Sequence, residues 1–237
     1  MSKQKSTILM FGVPGAGKGL FSKKISELLN RDHVITSTLL KQIASDPTHP
    51  HSEYVRKTMA EGGLVKEEIS IEATMGHLLS SKKNSVLDGY PRSIGRWNAL
   101  VKDVRIDLVF HLTIPTEEMI RRQQSRWVCK ICREQYDDRT PEGKAIIKTK
   151  KCPKVLKDQN EKPMVCDGEL YQRDDATTEA ILHRKEVFET ETLPLLELVK
   201  EMERKENRKI LYEVDNNKPI IVVLKEILEI LIEAGLS

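Results

Sequence analysis

The sequence predicts an α/β fold, a parallel β-sheet flanked by helices and broken by two insertions, on three observations. Apolar runs rich in β-formers at residues 7–11, 33–36, 85–87, 107–112 and 209–214 alternate with helical patterns such as Glu68–Leu79, Thr116–Arg126 and Thr178–Met202. Strands that alternate with helices build parallel sheets covered on both faces. A glycine-rich turn over residues 12–18 joins the first run to the first helical pattern. The four cysteines of the chain, Cys129, Cys132, Cys152 and Cys166, all fall in one window, which reads as an inserted module.

The first run delivers the chain to Gly12, Gly15, Gly17 and Lys18, and the helix beyond carries Leu20, Phe21, Ile25, Leu28 and Leu29 at helical spacing. Strand, glycine-rich loop and helix is the context in which G-x-x-x-x-G-K acts as a phosphate cradle. The glycines let backbone N–H groups turn inward, the helix presents its positive end, and Lys18 reaches the outer phosphates as a compact charge. Ser or Thr usually follows the lysine and helps to hold Mg²⁺. Here Gly19 and Leu20 follow, so the metal relies on phosphates, water and another carboxylate.

Residues 37–65 are helical and polar, with Pro47, Pro50 and the Gly62-Gly63 pair. The run at 85–87 then delivers Asp88-Gly-Tyr-Pro-Arg92. Ligands of open α/β sheets sit at the carboxyl ends of strands. An aspartate there orients the hydration shell of Mg²⁺, and the planar fork of Arg92 suits a phosphate. Arg122 and Arg126 lie four apart on the predicted helix at 116–126, hence on one face. Residues 127–173 hold every cysteine, three prolines and a lysine-rich run, Lys148 to Lys157, that reads as a solvated loop. Cys129-x2-Cys132 has the spacing of a thiolate knuckle, and clustering in a reducing compartment favours metal over disulfides, with four unliganded thiols as the alternative. The last helix starts at Pro219, a favoured first-turn residue, and carries Ile221, Leu224, Ile227, Leu228 and Leu231.

Composition excludes some classes of molecule. With 39 Lys and Arg against 36 Asp and Glu, the net charge of +3 supplies no basic field for nucleic acid. No apolar run is long enough to predict a membrane span, and a first strand near Thr7 leaves no room ahead of it for a cleaved leader. The chain reads as cytoplasmic.

The loop with Pro14, together with Asp88-Gly-Tyr-Pro-Arg92, resembles the nucleoside monophosphate kinases, specifically the adenylate kinases in their long form with a metal-bearing lid. Matching segments extend through Gly168-Glu-Leu-Tyr-Gln-Arg-Asp-Asp175 to Val214-Asp-Asn-Asn-Lys-Pro219, most of the chain. The resemblance implies reversible, Mg²⁺-dependent transfer of the terminal phosphoryl group of ATP to a nucleoside monophosphate, AMP first among them, by a monomer. It implies a P-loop core of residues 1–36, 66–126 and 174–237, a monophosphate-binding flap at 37–65 and a lid at 127–173. On the family pattern ATP contacts Gly12, Gly15, Ala16, Gly17, Lys18, Gly19 and Leu20, with Arg122, Arg126 and Lys218 beyond the loop. The monophosphate contacts Ser37, Lys41, Leu64 and Val65 of the flap, then Gly89, Arg92, Arg96, Arg173 and Arg184. Asp88 orders the Mg²⁺ hydration shell, and Lys18, Arg92, Arg126, Arg173 and Arg184 carry the transfer. Cys129, Cys132, Cys152 and Cys166 hold a structural Zn²⁺, with iron as the other candidate. Phosphoryl transfer asks mainly for positioning and charge neutralisation, so no general base is assigned. Asp174, Asp175 or Glu179 are the carboxylates that could pair with single arginines instead.

The chain departs from the family pattern in four places. Thr36-Ser-Thr-Leu-Leu-Lys-Gln42 stands where S-T-G-D, a hydrophobic pair and arginine are usual, leaving Lys41 with charge but no bidentate fork. Arg96 replaces the Gln or Asn that reads the acceptor base; it offers only donors where an amide offers donor and acceptor. Leu20 and Phe21 replace a polar pair. Relatives space their last two metal ligands three residues apart, whereas thirteen residues separate Cys152 and Cys166. Cys166 fits the last position, and Cys152 is the third ligand if 153–165 loops out. Three readings follow: an adenylate kinase with an altered acceptor site, a kinase for a guanine or pyrimidine monophosphate, and a nucleotide-binding regulatory module without turnover.

Overall fold

The computed structural model describes residues 5–60, 65–158, 160–172 and 176–236. The chain forms two compact units, Met1–Ile114 with Glu186–Ser237, and Pro115–Lys185.

The first unit opens with β1 (Ser6–Gly12), α1 (Lys18–Leu28), β2 (Asp32–Ile35), α2 (Thr36–Ser45), α3 (Ser52–Ala60), α4 (Glu67–Ser80), β3 (Ser85–Asp88), α5 (Ile94–Asp103) and β4 (Arg105–Thr113). Every residue of β1 is buried, as expected of a strand covered on both faces. The strand predicted at 33–36 ends one residue early. Its ladder stops where Ile35 pairs with Asp88, the last residue of β3, so Thr36 is free to start α2. Leu40 of α2, Val55 of α3, Ile69 of α4 and Val65 just ahead of α4 form a small core of their own.

The second unit contains α6 (Thr116–Gln124), β5 (Arg126–Cys129), β6 (Gln135–Asp137), α7 (Pro141–Thr149), β7 (Val155–Lys157), β8 (Pro163–Val165), β9 (Leu170–Tyr171) and α8 (Thr178–Val187). Here the sequence reading needs correction. The helix predicted at 116–126 stops at Gln124, and Arg126 is the first residue of β5, paired with Asp137 in an antiparallel ladder. Arg122 and Arg126 therefore do not share a helical face. The Lys148–Lys157 run is solvated as expected, with Lys148, Lys150, Lys151 and Lys157 exposed, but it is not a loop throughout: it closes α7, bridges Lys151 to Glu169, buries Cys152 and enters β7. Residues 153–165 carry the β7–β8 hairpin, with Val155 opposite Val165 and Leu156 opposite Met164.

The helix predicted from 178 to 202 is interrupted after α8 by a π-helical turn, Phe188–Thr192, before α9 (Leu195–Glu206). Pro194 lacks the N–H that would continue the ladder. The chain ends with β10 (Leu211–Asp215) and α10 (Ile220–Glu233), preceded by Pro219. The strand predicted from 209 starts at Leu211, because the Glu203 carboxylate accepts from the Ile210 and Leu211 N–H groups.

The central sheet is parallel, in the order β10-β4-β1-β3-β2. Alternation along β1 sends Leu9 and Phe11 into one core with Trp97, Leu100, Leu195 and Val199. Ile8 and Met10 enter the other with Phe21, Ile25, Val223 and Ile227. Because the chain leaves β1 towards β2 and β3 and later returns to its other side with β4, the carboxyl end of β1 lies at the topological switch point, where such sheets bind ligands. Among the described residues no helix is long and apolar enough to cross a membrane.

Candidate functional site

The glycine-rich loop fills the gap between β1 and α1. Gly12, Gly15 and Gly17 have φ of 148°, 83° and 82°, a region closed to most side chains. Space is as short as torsional freedom. A Cβ on Gly12 would lie 2.6 Å from the Leu112 carbonyl oxygen, and one on Gly17 would lie 2.6 Å from Asn216 Nδ2. Lys18 folds back over the loop, donating from Nζ to the carbonyls of Gly12 at 2.7 Å and Val13 at 3.0 Å. Asn216, which the sequence reading did not single out, is buried beyond β10 and donates to the Ala16 carbonyl at 2.8 Å. Nothing local to Asn216 announces that contact; its partner lies two hundred residues away.

Asp88 ends β3 beside the first turn of α1. A Cβ on Gly19 would stand 3.1 Å from Asp88 Oδ2, so the residue that replaces the usual hydroxyl leaves its space to a carboxylate. His33 of β2, also not anticipated, places Nε2 3.9 Å from the same Oδ2. Beyond Asp88 the chain turns through Gly89, with φ of 72°, and Arg92 donates from Nε to the Gly89 carbonyl at 2.8 Å. Arg92 is exposed to solvent, yet the protein near it and then the charge of Arg96 lower its proton affinity, while Asp88 raises it. Thr192 of the π-helical turn donates to the Arg92 carbonyl at 3.4 Å.

Arg96, on the first turn of α5, lies with Nε 3.8 Å from Glu67 Oε1 and donates from Nη2 to Ser70 Oγ at 3.4 Å. Ser37 and Lys41 are exposed on α2, and Leu20 is exposed on α1. Val65 is buried against Leu40 and Ile69 rather than presented at a surface. Lys218 pairs with Glu226 of α10 at 3.0 Å. Leu64 and Arg173, both predicted site residues, lie outside the described residues. Asp174 and Asp175, weighed as partners for the arginines, lie outside them too.

The second unit holds Arg122, Arg126 and Arg184 of the predicted site. Arg122 donates from Nε to Glu118 Oε1 at 2.7 Å, and Arg139 reaches the same oxygen at 3.1 Å. Burial pushes the Glu118 carboxyl up, but hydrogen bonds from Arg122, Arg121 and Arg139 outweigh it and hold its pKa at about 2. Arg126 donates to Gln123 Oε1 at 2.7 Å, and Arg184 donates from Nε to the Ala180 carbonyl at 3.1 Å.

All four cysteines converge in this unit. Their sulfurs lie within 4.8 Å of one another. Cys129 and Cys166 are 3.6 Å apart, and Cys132 and Cys152 3.5 Å. Disulfides need about 2.05 Å. A tetrahedral Zn²⁺ with sulfurs at about 2.3 Å has edges of about 3.8 Å, so the donor set and its spacing fit a four-thiolate metal site. The Ile131 N–H points at Cys129 Sγ at 3.4 Å, Tyr136 Oη lies 3.0 Å from Cys152 Sγ, and a Cβ on Gly168 would sit 2.5 Å from Cys129 Sγ. An ion held by all four thiolates would have no open coordination position, which suits a structural rather than a catalytic role.

A buried β1, a strained glycine loop over which a lysine folds, and an aspartate at the end of the neighbouring strand define a P-loop nucleotide-binding protein. The family model described as "Adenylate kinase" matches residues 10–204. The chain is 32% identical over 227 residues to an adenylate kinase of Dehalococcoides mccartyi, covering 93% of this chain and 95% of the relative. It is 31% identical to one of Archaeoglobus fulgidus, covering 94% and 97%, and 34% identical to one of Methanothrix thermoacetophila, covering 80% and 84%. The chain belongs to the adenylate kinase family, and is thus a phosphotransferase of the nucleoside monophosphate kinase type.

Proposed function

We propose that this protein transfers the terminal phosphoryl group of ATP reversibly to AMP, giving two ADP, in a Mg²⁺-dependent reaction. The observation that carries the reading is the loop itself: Lys18 folded across Gly12 and Val13, with Asp88 one side chain away over Gly19. In this reading the N–H groups of Gly12 and of residues 15–20 cradle the ATP phosphates and Lys18 exchanges its two carbonyl partners for phosphate oxygens. Mg²⁺ bound with the nucleotide neutralises phosphate charge, and Asp88, beside His33, holds its water shell. Arg92, fixed through the Gly89 carbonyl, holds the acceptor phosphate. Arg122, Arg126, Arg173 and Arg184 meet the charge that spreads over the transferred group, and Lys218 and Leu20 border the ATP. Ser37, Lys41, Leu64, Gly89 and Arg96 line the acceptor, and Val65 packs behind them in the flap core.

The assignment divides the chain into a core of residues 1–36, 66–126 and 174–237, a flap at 37–65 and a lid at 127–173, the last stiffened by Zn²⁺ on the four cysteines. A monomer in the cytoplasm is the accompanying expectation. A panel of monophosphates, each incubated with Mg²⁺ and ATP and followed by chromatography, tests the reading. Rapid ADP formation from AMP supports it. Turnover confined to another monophosphate reassigns the acceptor, and tight ATP binding with no turnover on any acceptor makes the protein a regulatory module.

A further inference from the structure

We infer that Glu67 and Arg96 read the acceptor base as a pair, Glu67 accepting from the exocyclic amino group of adenine and Arg96 donating to the adjacent ring nitrogen. The inference rests on the reading of the chain as a nucleoside monophosphate kinase and names the residue that completes its specificity. An arginine at position 96 has no acceptor, and the missing acceptor stands beside it. Glu67 Oε1 is 3.8 Å from Arg96 Nε, the Ser93 hydroxyl donates to that same oxygen, and no described residue donates to Oε2.

The arrangement is built rather than incidental. Gly95 has no side chain where Glu67 crosses the start of α5: a Cβ there would lie 2.7 Å from Oε2 and 3.0 Å from Cδ. Arg96 is held on its other side by the buried Ser70 hydroxyl, yet its Nε is buried without a hydrogen-bond partner. That Nε faces Glu67 Oε1, which keeps the two charges together and leaves the outer guanidinium N–H groups to a ligand. The Glu67 side chain, at 41% exposed, is within reach of a ligand. Ser93 caps α5, with Arg92 immediately before it and Arg96 on its first turn, so an acceptor phosphate held by Arg92 brings the rest of the acceptor close to Arg96 and Glu67. A 6-oxopurine in the same pose turns a carbonyl oxygen towards the carboxylate, where two acceptors face each other.

The test uses the full chain with Mg²⁺ and ATP and four acceptors: AMP, purine riboside 5′-monophosphate (which lacks the amino group), IMP and GMP. kcat/KM is measured for the parent, Glu67→Ala, Glu67→Gln and the double variant Glu67→Ala with Arg96→Gln. The parent favours AMP over the analogue lacking the amino group by roughly 10- to 100-fold, the range of a hydrogen bond to a charged group. Glu67→Ala brings that ratio within about threefold of unity while KM for ATP holds. Glu67→Gln raises IMP use relative to AMP, because the amide nitrogen donates to the 6-oxo group. The double variant restores discrimination, since a glutamine at 96 supplies both halves of the contact.

A Glu67→Ala variant that slows all four acceptors equally, or keeps the parent ratio, overturns the inference. So does a parent that prefers GMP, for then the carboxylate reads ring and amino N–H groups in the opposite order. If no acceptor turns over, the same ratios are read as dissociation constants by calorimetry. Discrimination at that level upholds the pair while the kinase reading fails, and its absence overturns both.

Discussion

Gly17→Ala tests how the nucleotide loop is held. An L residue in the left-handed conformation found at Gly17, φ of 82°, costs roughly 1–2 kcal/mol. The new Cβ would also stand 2.6 Å from Asn216 Nδ2 and 3.3 Å from the Phe21 ring. Asn216 is 3% exposed and bonded to the Ala16 carbonyl, so pushing it aside leaves a buried donor and acceptor unpaired, at about 1–3 kcal/mol. The sum is roughly 2–5 kcal/mol. At about 2–4 °C per kcal/mol for a chain of this size, the melting temperature falls by roughly 4–20 °C. Asn216→Ala alone loses the same hydrogen bond but removes the obstruction. The double variant is therefore less destabilised than the two single effects added, by about 1–3 kcal/mol. Calorimetric melting of the four proteins gives the cycle, and ATP titration shows whether affinity falls with the loop. A Gly17→Ala melt within a degree of the parent, or strict additivity, refutes the account in which Asn216 fixes the loop by contact with Gly17.

Arg92→Ala lowers kcat/KM for the acceptor by two orders of magnitude or more, as removal of a charge-stabilising donor does elsewhere; a loss within threefold ends the case for a phosphate fork at this position. Cys152→Ser lowers the metal content measured by elemental analysis and destabilises the second unit, and a strong chelator does the same to the parent; full metal content with an unchanged melt removes Cys152 from the ligand set. Glu118 has a folded-state pKa of about 2, below its ordinary value of 4.5, so its contribution is complete above about pH 4.5 and disappears as the pH falls towards 2. Glu118→Gln accordingly destabilises the chain at pH 7 and not near pH 2, as denaturant melts across that range will show; an equal difference at both ends contradicts the ion cluster.

Apolar runs placed the strands of the sheet to within two residues, because the central strands β1, β3 and β4 are buried on both faces and need a nearly unbroken hydrophobic stretch. The loop was legible for a similar reason. Three glycines spaced within six residues and followed by a lysine mark a turn whose backbone most side chains would strain, and the four cysteines announced a shared site by crowding into one segment. Local pattern misled where two local preferences competed. Arg122 and Arg126 read as one helical face, but Arg126 finds a strand partner in Asp137, and that pairing exists only once β6 has folded back. The break at Phe188–Thr192 depends on a proline whose effect on the register beyond α8 could not be read from spacing.

What the sequence by itself determined is the set of groups: a phosphate cradle, an aspartate at a strand end, a set of arginines and four cysteines. The tertiary structure decided which of them meet. Asn216 reaches Ala16 across two hundred residues, His33 comes to Asp88 through a ladder between two strands, and Glu67 lies beside Arg96 because Gly95 leaves it room. None of these contacts has a periodicity or a spacing. Each arises from packing between elements distant in the chain, where a missing side chain or a shared oxygen sets the partner.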